Sequence, residues 1–187
     1  MTCIPSSPKD IATVQVGGRT YVFFINKDNR LCYISKANDE QITRFVAQPL
    51  EIETGMTIKS DSRQVAAAAW VPKKQPCDTK EPWEIRVYCV GDDNGHGYLQ
   101  EVCLGSKDKG VWYQGWMGCQ RQKDEYDERR YVDEGSSLAA VGTGFESLQV
   151  FVSGRGQNGM PKIGVYSYKA EKRDWVEEWI REPLFNV

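Results

Sequence analysis

Apolar, β-branched and aromatic residues recur along this chain in short runs, each followed by a turn and a second run. Three such strand–turn–strand segments occupy residues 19–34, 84–103 and 147–168. Turn-forming Asn, Asp and Gly residues lie in the middle of each segment. This pattern predicts three β-hairpins.

Further strands are predicted on both sides of the hairpins, which gives units of four strands. Runs of small apolar residues precede the hairpins, at 10–14, 65–70 and 137–141, and residues 42–46 follow the first hairpin as its fourth strand. The C-terminal segment 172–182 has apolar residues at helical spacing, but its alignment with the preceding unit favours a strand.

The second and third units align without a gap at a spacing of 63 residues. Val87 then falls on Val150, and two tryptophan pairs coincide, Trp112 with Trp175 and Trp116 with Trp179. We therefore interpret the chain as one all-β domain of three repeats, roughly 8–60, 61–132 and 133–187. Repeats of about four strands predict the blades of a β-propeller.

Three blades leave an open sheet face at each end of the set, whereas closed propellers have about 4–8 blades. Two copies of the chain would supply six blades and close the ring. The sequence therefore predicts a homodimer.

Charge and hydropathy exclude some classes of partner. The chain has 187 residues, with 24 Lys and Arg against 26 Asp and Glu, and a net charge of -2. Because no basic excess or stripe occurs, we expect no nucleic-acid partner. No apolar run approaches the roughly 20 residues of a membrane helix, so we expect no membrane partner. The first ten residues contain no apolar signal segment, and we expect a cytoplasmic location.

Cysteine and histidine usage argues against metal and disulfide chemistry. The six cysteines form no Cys-x-x-Cys pair, and His96 is the single histidine. We therefore predict free thiols, no metal site and no cofactor. Two polar insertions, at 72–82 and 120–131, are predicted to be surface segments, with a lid over a binding site as the alternative.

The second unit resembles one repeat of the fungal fucose-specific lectins. The likeness rests on Ile85–Cys89, on Leu99–Glu101 and on Trp112–Gly115, and Ser136–Val141 is similar to the first strand of the next repeat. The resemblance implies a six-bladed propeller that binds fucose between adjacent blades. It also implies a site in which an Arg and a Glu from one hairpin act together with a nearby Trp.

Residue by residue, the resemblance places Arg86 and Glu101 at the charged positions and either Trp112 or Trp116 at the aromatic one. An Arg–Glu pair forms charge-assisted hydrogen bonds with ring hydroxyls, and an aromatic face packs on the C–H face of a sugar. An ordinary cross-strand ion pair beside a core tryptophan is the alternative. The matching positions of the other units are uncharged: Tyr21 and Tyr33 in the first, Gln149 and Gly164 in the third. At most one fucose-type site per chain is therefore predicted.

Two functions from different classes remain open. The chain is also similar to lectin-like hetero-Diels–Alderases of fungal secondary metabolism, which implies a cofactor-independent cyclase that joins a quinone methide to a polyene. In that case Arg86 and Glu101 polarise the substrate or handle a proton. The predicted substrate-binding walls are Trp112, Trp116, Tyr88 and Tyr98. The alternative is a lectin that binds a fucosylated glycan at one site per chain.

Overall fold

The chain folds into β-strands joined by turns. The computed structural model describes residues 8, 10–39, 47–50, 56–73, 82–118, 129–155, 159, 161–172 and 174–180. The strands within these ranges are β1 Ile11–Val16, β2 Arg19–Ile25, β3 Leu31–Ala37, β4 Gln48–Pro49, β5 Val65–Trp70, β6 Glu84–Asp93, β7 His96–Gly105, β8 Tyr113–Gln114, β9 Leu138–Val141, β10 Gln149–Arg155, β11 Pro161–Lys169 and β12 Asp174–Ile180. A 3₁₀ turn at Phe145–Ser147 precedes β10.

The strands form three antiparallel sheets of four. Their orders are β1-β2-β3-β4, β5-β6-β7-β8 and β9-β10-β11-β12, and we name them blades one, two and three. This confirms the predicted all-β fold of four-stranded blades. Within the C-terminal segment, Asp174–Ile180 is a strand, because β12 forms a continuous ladder with β11 over these residues. The predicted strand at 42–46 lies outside the described residues, and β4 completes blade one.

The first strand of each blade carries the contact with the next blade. Strand β5 packs between β1 and β9. Its residues alternate between the two sides, with Val65 in the core shared with blade one and Ala66, Ala68 and Trp70 in the core shared with blade three. Small alanine side chains allow the strands to approach closely, so β5 is covered on both faces.

Two hydrophobic cores hold the blades together. Between blades one and two, Phe23 packs with Trp112, and both are buried. Between blades two and three, Tyr88 packs edge-to-face on Trp175, with ring centroids 6.0 Å apart. Each core joins neighbouring blades, as expected of repeats that bury their apolar faces by stacking.

Strand pairing corrects one predicted equivalence. Tyr88 pairs with Glu101, whereas its counterpart Phe151 pairs with Val165, not Gly164. The reason is the number of residues between the paired strand ends, which is two between Asp93 and His96 and five between Arg155 and Pro161. Because these two numbers differ by three, an odd number, the strand pairing in blade three is shifted by one residue relative to that in blade two. The position equivalent to Glu101 in blade three is therefore an apolar, buried valine.

Most of the two predicted insertions, residues 74–81 of the first and 120–128 of the second, lies outside the described residues. Within the part of the chain that the structure describes, no helix has the length and apolar character needed to cross a membrane.

Candidate functional site

Arg86 and Glu101 meet on the face of blade two that points toward blade three. Strands β6 and β7 pair Tyr88 with Glu101 and Arg86 with Cys103, so the two charged residues are diagonal neighbours on one face. The Nε atom of Arg86 lies 3.7 Å from Oε1 of Glu101. Only 7% of the Arg86 side chain and 4% of the Glu101 side chain are exposed.

Both charges have additional partners, as buried charges require. The Nη1 group of Arg86 donates to Oε2 of Glu84 and to the carbonyl oxygen of Ile85, each at 2.9 Å. Glu101 accepts from the Tyr88 hydroxyl at 3.1 Å and from the Met117 backbone N–H at 3.4 Å. The pair is thereby fixed in position before any ligand arrives.

Gly115 provides the space that Glu101 occupies. A Cβ atom at this position would overlap the Glu101 carboxylate. The backbone N–H of Gly115 donates to the Glu101 carbonyl at 2.8 Å, which holds the segment after β8 against β7. Glycine is therefore required here for close approach rather than for an unusual backbone angle.

Burial governs the acid–base properties of the site. It raises the pKa of Glu101 above the ordinary glutamate value, although the charge of Arg86 and the hydrogen bonds from Met117 and Tyr88 act in the opposite direction. Burial also raises the pKa of Glu84. The pKa of Arg86 is raised because the surrounding acidic groups outweigh the opposing effect of its burial, so this residue stays cationic.

Three aromatic rings surround the Arg86 guanidinium. Its central carbon lies 5.5 Å from the ring centroid of Trp70, 6.0 Å from that of Tyr113 and 5.2 Å from that of Phe145. These distances are within the range of cation–π attraction. Phe145 belongs to blade three, so the contact ties the charged pair of blade two to its neighbour.

A cavity of about 270 Å³ opens in front of this pair, between blades two and three. Its lining residues are Arg86, Glu101, Cys103, Tyr113, Gln114, Gly115, Trp116, Phe145, Leu148, Tyr168 and Ala170. Two buried charges therefore open into a space with mainly aromatic and aliphatic walls. This combination is typical of sites for small polar ligands that also have an apolar face.

The predicted site residues lie in different places. Arg86, Glu101 and Trp116 line the cavity. Tyr88 lies behind it in the core, where its hydroxyl supports Glu101. Trp112 packs on Phe23 and Tyr33 in the core between blades one and two, and it does not line this cavity.

Tyr98 also lies away from the cavity. Its hydroxyl accepts a hydrogen bond from the side-chain amide of Gln100. Tyr98 is near the tip of the β6–β7 hairpin, opposite Gly91. Alternation along β7 places it on the face opposite Glu101.

Three aromatic residues of the cavity wall were not among the site residues predicted from the sequence. Tyr113 lies inside the motif Trp112–Gly115 that carried the family resemblance, and this position was the available signal. Phe145 and Tyr168 belong to the next blade. Their approach to Arg86 depends on how the blades stack, which a single repeat does not reveal.

The equivalent cleft between blades one and two is filled by aromatic rings. Tyr21 and Tyr33 replace the charged pair, with ring centroids 6.5 Å apart. The indole ring of Trp83 lies 6.4 Å from Tyr21 and directly against Gly17. Blade one therefore offers neither the charges nor the space of the blade-two cavity.

Blade three differs in the direction of its second tryptophan. Trp179 lies in β12 and pairs with Gly164, which in turn pairs with Val152. Val152 belongs to the core shared with blade two, so Trp179 lies on the face toward blade two. In blade two, β8 ends at Gln114 and the chain bends at Trp116, which lines the cavity toward blade three. The two tryptophans therefore match in sequence but not in orientation.

Within the described ranges, no group of three or more His, Cys, Asp or Glu side chains is arranged to hold a metal ion. Cys103 lines the cavity, and burial raises the pKa of its thiol well above the usual value. A thiol of this kind stays protonated at neutral pH.

No protein-family model matches the chain, and no curated protein sequence matches it. Among solved structures, the chain is similar to a fucose lectin from Kordia zhangzhouensis in complex with methyl-fucoside, at 16% identity and a TM-score of 0.48, over 90% of this chain and 96% of that one. It is also similar to the six-bladed propeller lectin of Aleuria aurantia, at 16% identity and a TM-score of 0.45, over 96% of this chain. The match spans 64% of the Aleuria lectin chain.

Proposed function

We propose that the cavity between blades two and three binds one neutral sugar ring, with fucose as the first candidate. The observation that carries this proposal is the buried Arg86–Glu101 pair, which opens into an aromatic-walled cavity of about 270 Å³. The sugar is suggested by the resemblance of the second repeat to fucose-specific lectins. This function is the alternative that the sequence left open.

The chemistry of the walls matches a sugar. The guanidinium of Arg86 donates hydrogen bonds and the carboxylate of Glu101 accepts them, as vicinal hydroxyl groups require. The Trp116 ring is 38% exposed and lines the same cavity, where it can cover the C–H face of a ring. Because the carboxylates of Glu84 and Glu101 outnumber the single positive charge of Arg86, an anionic ligand is disfavoured and a neutral one is the better match.

The size of the cavity separates the two candidate functions. Pockets for drug-sized ligands occupy roughly 300–1,000 Å³, and this cavity lies just below that range. A single sugar ring suits such a volume better than a polyene together with a quinone methide. The cyclase stays a prediction of the sequence, and no observation in the described residues favours it.

Titration calorimetry with methyl-fucoside tests the proposal. We expect saturable binding to the wild type and roughly tenfold weaker binding to Trp116→Ala, because the variant removes an aromatic platform but no buried charge. Tyr131→Ala is the matched control, since this ring is 50% exposed and lies outside the cavity. Absence of binding to the wild type, or an equal loss in both variants, would contradict the proposal.

We also propose that two chains assemble into one six-bladed ring. Strand β5, which has a blade on each side, is covered on both faces. Strands β1 and β9 each expose one face, with Ile11 60% and Val141 51% exposed. If blade three of one chain packed on blade one of the other, both strands would gain the cover that β5 already has.

A further inference from the structure

The two outer blades of the chain each leave one sheet face uncovered. In β6 of blade two, Ile85–Gly91 are buried without interruption, because this blade has a neighbour on each side. In β2 and β10, over Tyr21–Ile25 and Gln149–Ser153, buried residues alternate with less buried ones. Successive residues of a strand point to opposite faces. Within the described part of the chain, blade one and blade three therefore each have one open face.

The strand register shows which residues lie on these open faces, because cross-strand partners share a face. The open face of blade one includes Ile11, Val22, Phe24, Ile34 and Lys36. The open face of blade three includes Val141, Phe151, Val165, Val176, Glu178 and Ile180. Each face thus carries a group of large apolar residues, as a contact with another blade requires. The ring proposed above supplies that blade from a second copy of the chain.

Lys36 in blade one occupies the position that Tyr168 has in blade three. Thr20 and Leu148 are equivalent, because each directly precedes the residue that matches Arg86. Thr20 pairs with Lys36, and the carbonyl oxygen of Leu148 accepts a hydrogen bond from the Tyr168 backbone N–H at 3.0 Å. Lys36 therefore lies where blade three presents Tyr168 to the preceding blade.

Glu178 in blade three occupies the position that Gly115 has in blade two. Glu178 pairs with Val165, the residue that matches Glu101. In blade two, Gly115 lies opposite Glu101 and donates its backbone N–H to the Glu101 carbonyl. Glu178 therefore lies where blade two presents Gly115 to the following blade.

The two equivalent positions, Gly115 and Tyr168, line one cavity from opposite blades. If blade three of one chain packs on blade one of the partner in the same way, Glu178 and the partner's Lys36 face one common space. The Glu178 side chain is exposed, and Lys36 is half-buried. Among the residues that the structure describes, neither has a charged partner within its own chain.

The chemistry of this junction differs from that of the proposed sugar site. Gln149 and Val165 take the positions of Arg86 and Glu101, so the buried charged pair is missing. Trp179, which matches the cavity tryptophan of blade two, lies on the face toward blade two. Contact between two chains therefore fits this junction better than a second sugar does.

We propose that Glu178 of each chain forms an ion pair with Lys36 of the partner subunit at each junction of the ring. This inference rests on the ring proposed above and specifies the contact that selects the partner face. The other charged residues of the open face of blade three, Arg155, Lys169 and Asp174, lie at strand ends. Glu178 lies within β12, next to the apolar residues that the partner covers.

Charge reversal tests this ion pair by sedimentation equilibrium. A ring with two-fold symmetry repeats each contact, so Glu178→Lys or Lys36→Glu alone places like charges together at both junctions. We expect each single variant to raise the dissociation constant of the dimer roughly tenfold or more. The double variant restores opposite charges, and we expect its dissociation constant to return to within about threefold of the wild-type value.

Asp28→Lys is the matched control for Glu178→Lys. It makes the same change in net charge, but in the turn after β2, where the Asp28 side chain is 59% exposed. We expect this control to dissociate like the wild type. Salt gives a second measurement that needs no charge reversal. Between about 50 and 500 mM sodium chloride, the wild-type dimer is expected to weaken more than the dimer of Glu178→Gln.

The results separate this inference from the proposals on which it rests. A wild type that stays monomeric would overturn the ring and the ion pair together, whereas the sugar cavity lies within one chain and is tested by calorimetry. A wild-type dimer that neither single reversal weakens would overturn the ion pair and leave the ring in place. A double variant that stays dissociated, or equal salt dependence in Glu178→Gln and the wild type, would do the same.

Discussion

The guanidinium of Arg86 lies 3.7 Å from the carboxylate of Glu101, and both side chains are almost completely buried. Removing Arg86 would leave Glu101 without its buried counter-charge, and breaking such a pair costs about 3–5 kcal/mol. A truncation at this position therefore alters folding as well as ligand binding. For this reason, the variants below change the surroundings of the pair or use an isosteric replacement.

The first prediction concerns the pH dependence of stability. Burial raises the pKa of Glu101 above the ordinary value of 4.5. In the pH window directly above 4.5, the folded chain retains a proton that the unfolded chain has lost. The free energy of unfolding contributed by this group therefore falls as the pH rises through that window. Glu101→Gln does not titrate and lacks this slope.

Urea denaturation between about pH 4 and pH 7 measures the effect. We expect the wild type to lose stability relative to Glu101→Gln as the pH rises. In the variant, Arg86 keeps Glu84 as its partner at 2.9 Å, and the titration of Glu84 is common to both proteins. A stability difference that is independent of pH, or that changes in the opposite direction, would show that Glu101 is not held in a desolvated position.

The second prediction uses a pair of glycines near the cavity. Gly115→Ala places a Cβ atom against the Glu101 carboxylate, which is already held by Tyr88 and by the Met117 backbone. We expect a loss of about 1–3 kcal/mol in the free energy of unfolding, as for other overpacked sites, and weaker binding of methyl-fucoside.

Gly144→Ala is the matched control for that substitution. No atom lies within 4 Å of the added Cβ, and the backbone is extended, with φ at 168°. We expect a change within about 0.5 kcal/mol, as at an ordinary surface site. Similar losses from the two alanine variants would mean that the space at Gly115 is not specifically required.

The periodic pattern of the sequence was sufficient to predict the blades, but it did not predict all the residues that line the cavity. The strand 65–70 was predicted with the bounds that the structure has, because a run of small apolar residues before the hairpin defines it locally. Arg86 and Glu101 were found from one repeat, since both lie on neighbouring strands of one hairpin. Phe145 and Tyr168 were missed because they approach from another blade.

The orientation of the tryptophans shows a second limit. Trp112 and Trp116 were equivalent candidates from their spacing, but Trp112 packs in one core and Trp116 lines the cavity on the other side of the blade. Strand β8 ends at Gln114, and the bend at Trp116 interrupts the alternation of a regular strand. Sequence spacing alone does not indicate on which side of such a bend a ring lies.

The third prediction concerns the number of sites. Tyr21, Tyr33 and Trp83 fill the cleft between blades one and two. We therefore expect calorimetry to give one methyl-fucoside per chain. A titration of Tyr131→Ala under the same conditions is the control for the concentration of active protein. Two sites per chain would contradict the conclusion that aromatic side chains close the first cleft.

The fourth prediction concerns assembly and follows from the exposed faces of β1 and β9. We expect sedimentation to give the mass of two chains for the wild type. Ile11→Lys and Val141→Glu each place a charge at the proposed junction, where burying it without a partner is unfavourable. Each variant alone is therefore expected to sediment as a monomer. Val71→Lys is the control, because Val71 is 50% exposed but lies beyond the end of β5.

Mixing the two junction variants provides a sharper test of the same arrangement. In a ring of one chain of each variant, one junction would bring the introduced glutamate and the introduced lysine together, and the other would keep the wild-type Val141 and Ile11. Opposite charges on neighbouring strands stabilise their pairing. The mixture is therefore expected to recover the dimer mass that each variant lacks alone. A wild type that sediments as a monomer, or a mixture that stays monomeric, would rule out a ring closed by contact between β9 of one chain and β1 of the other.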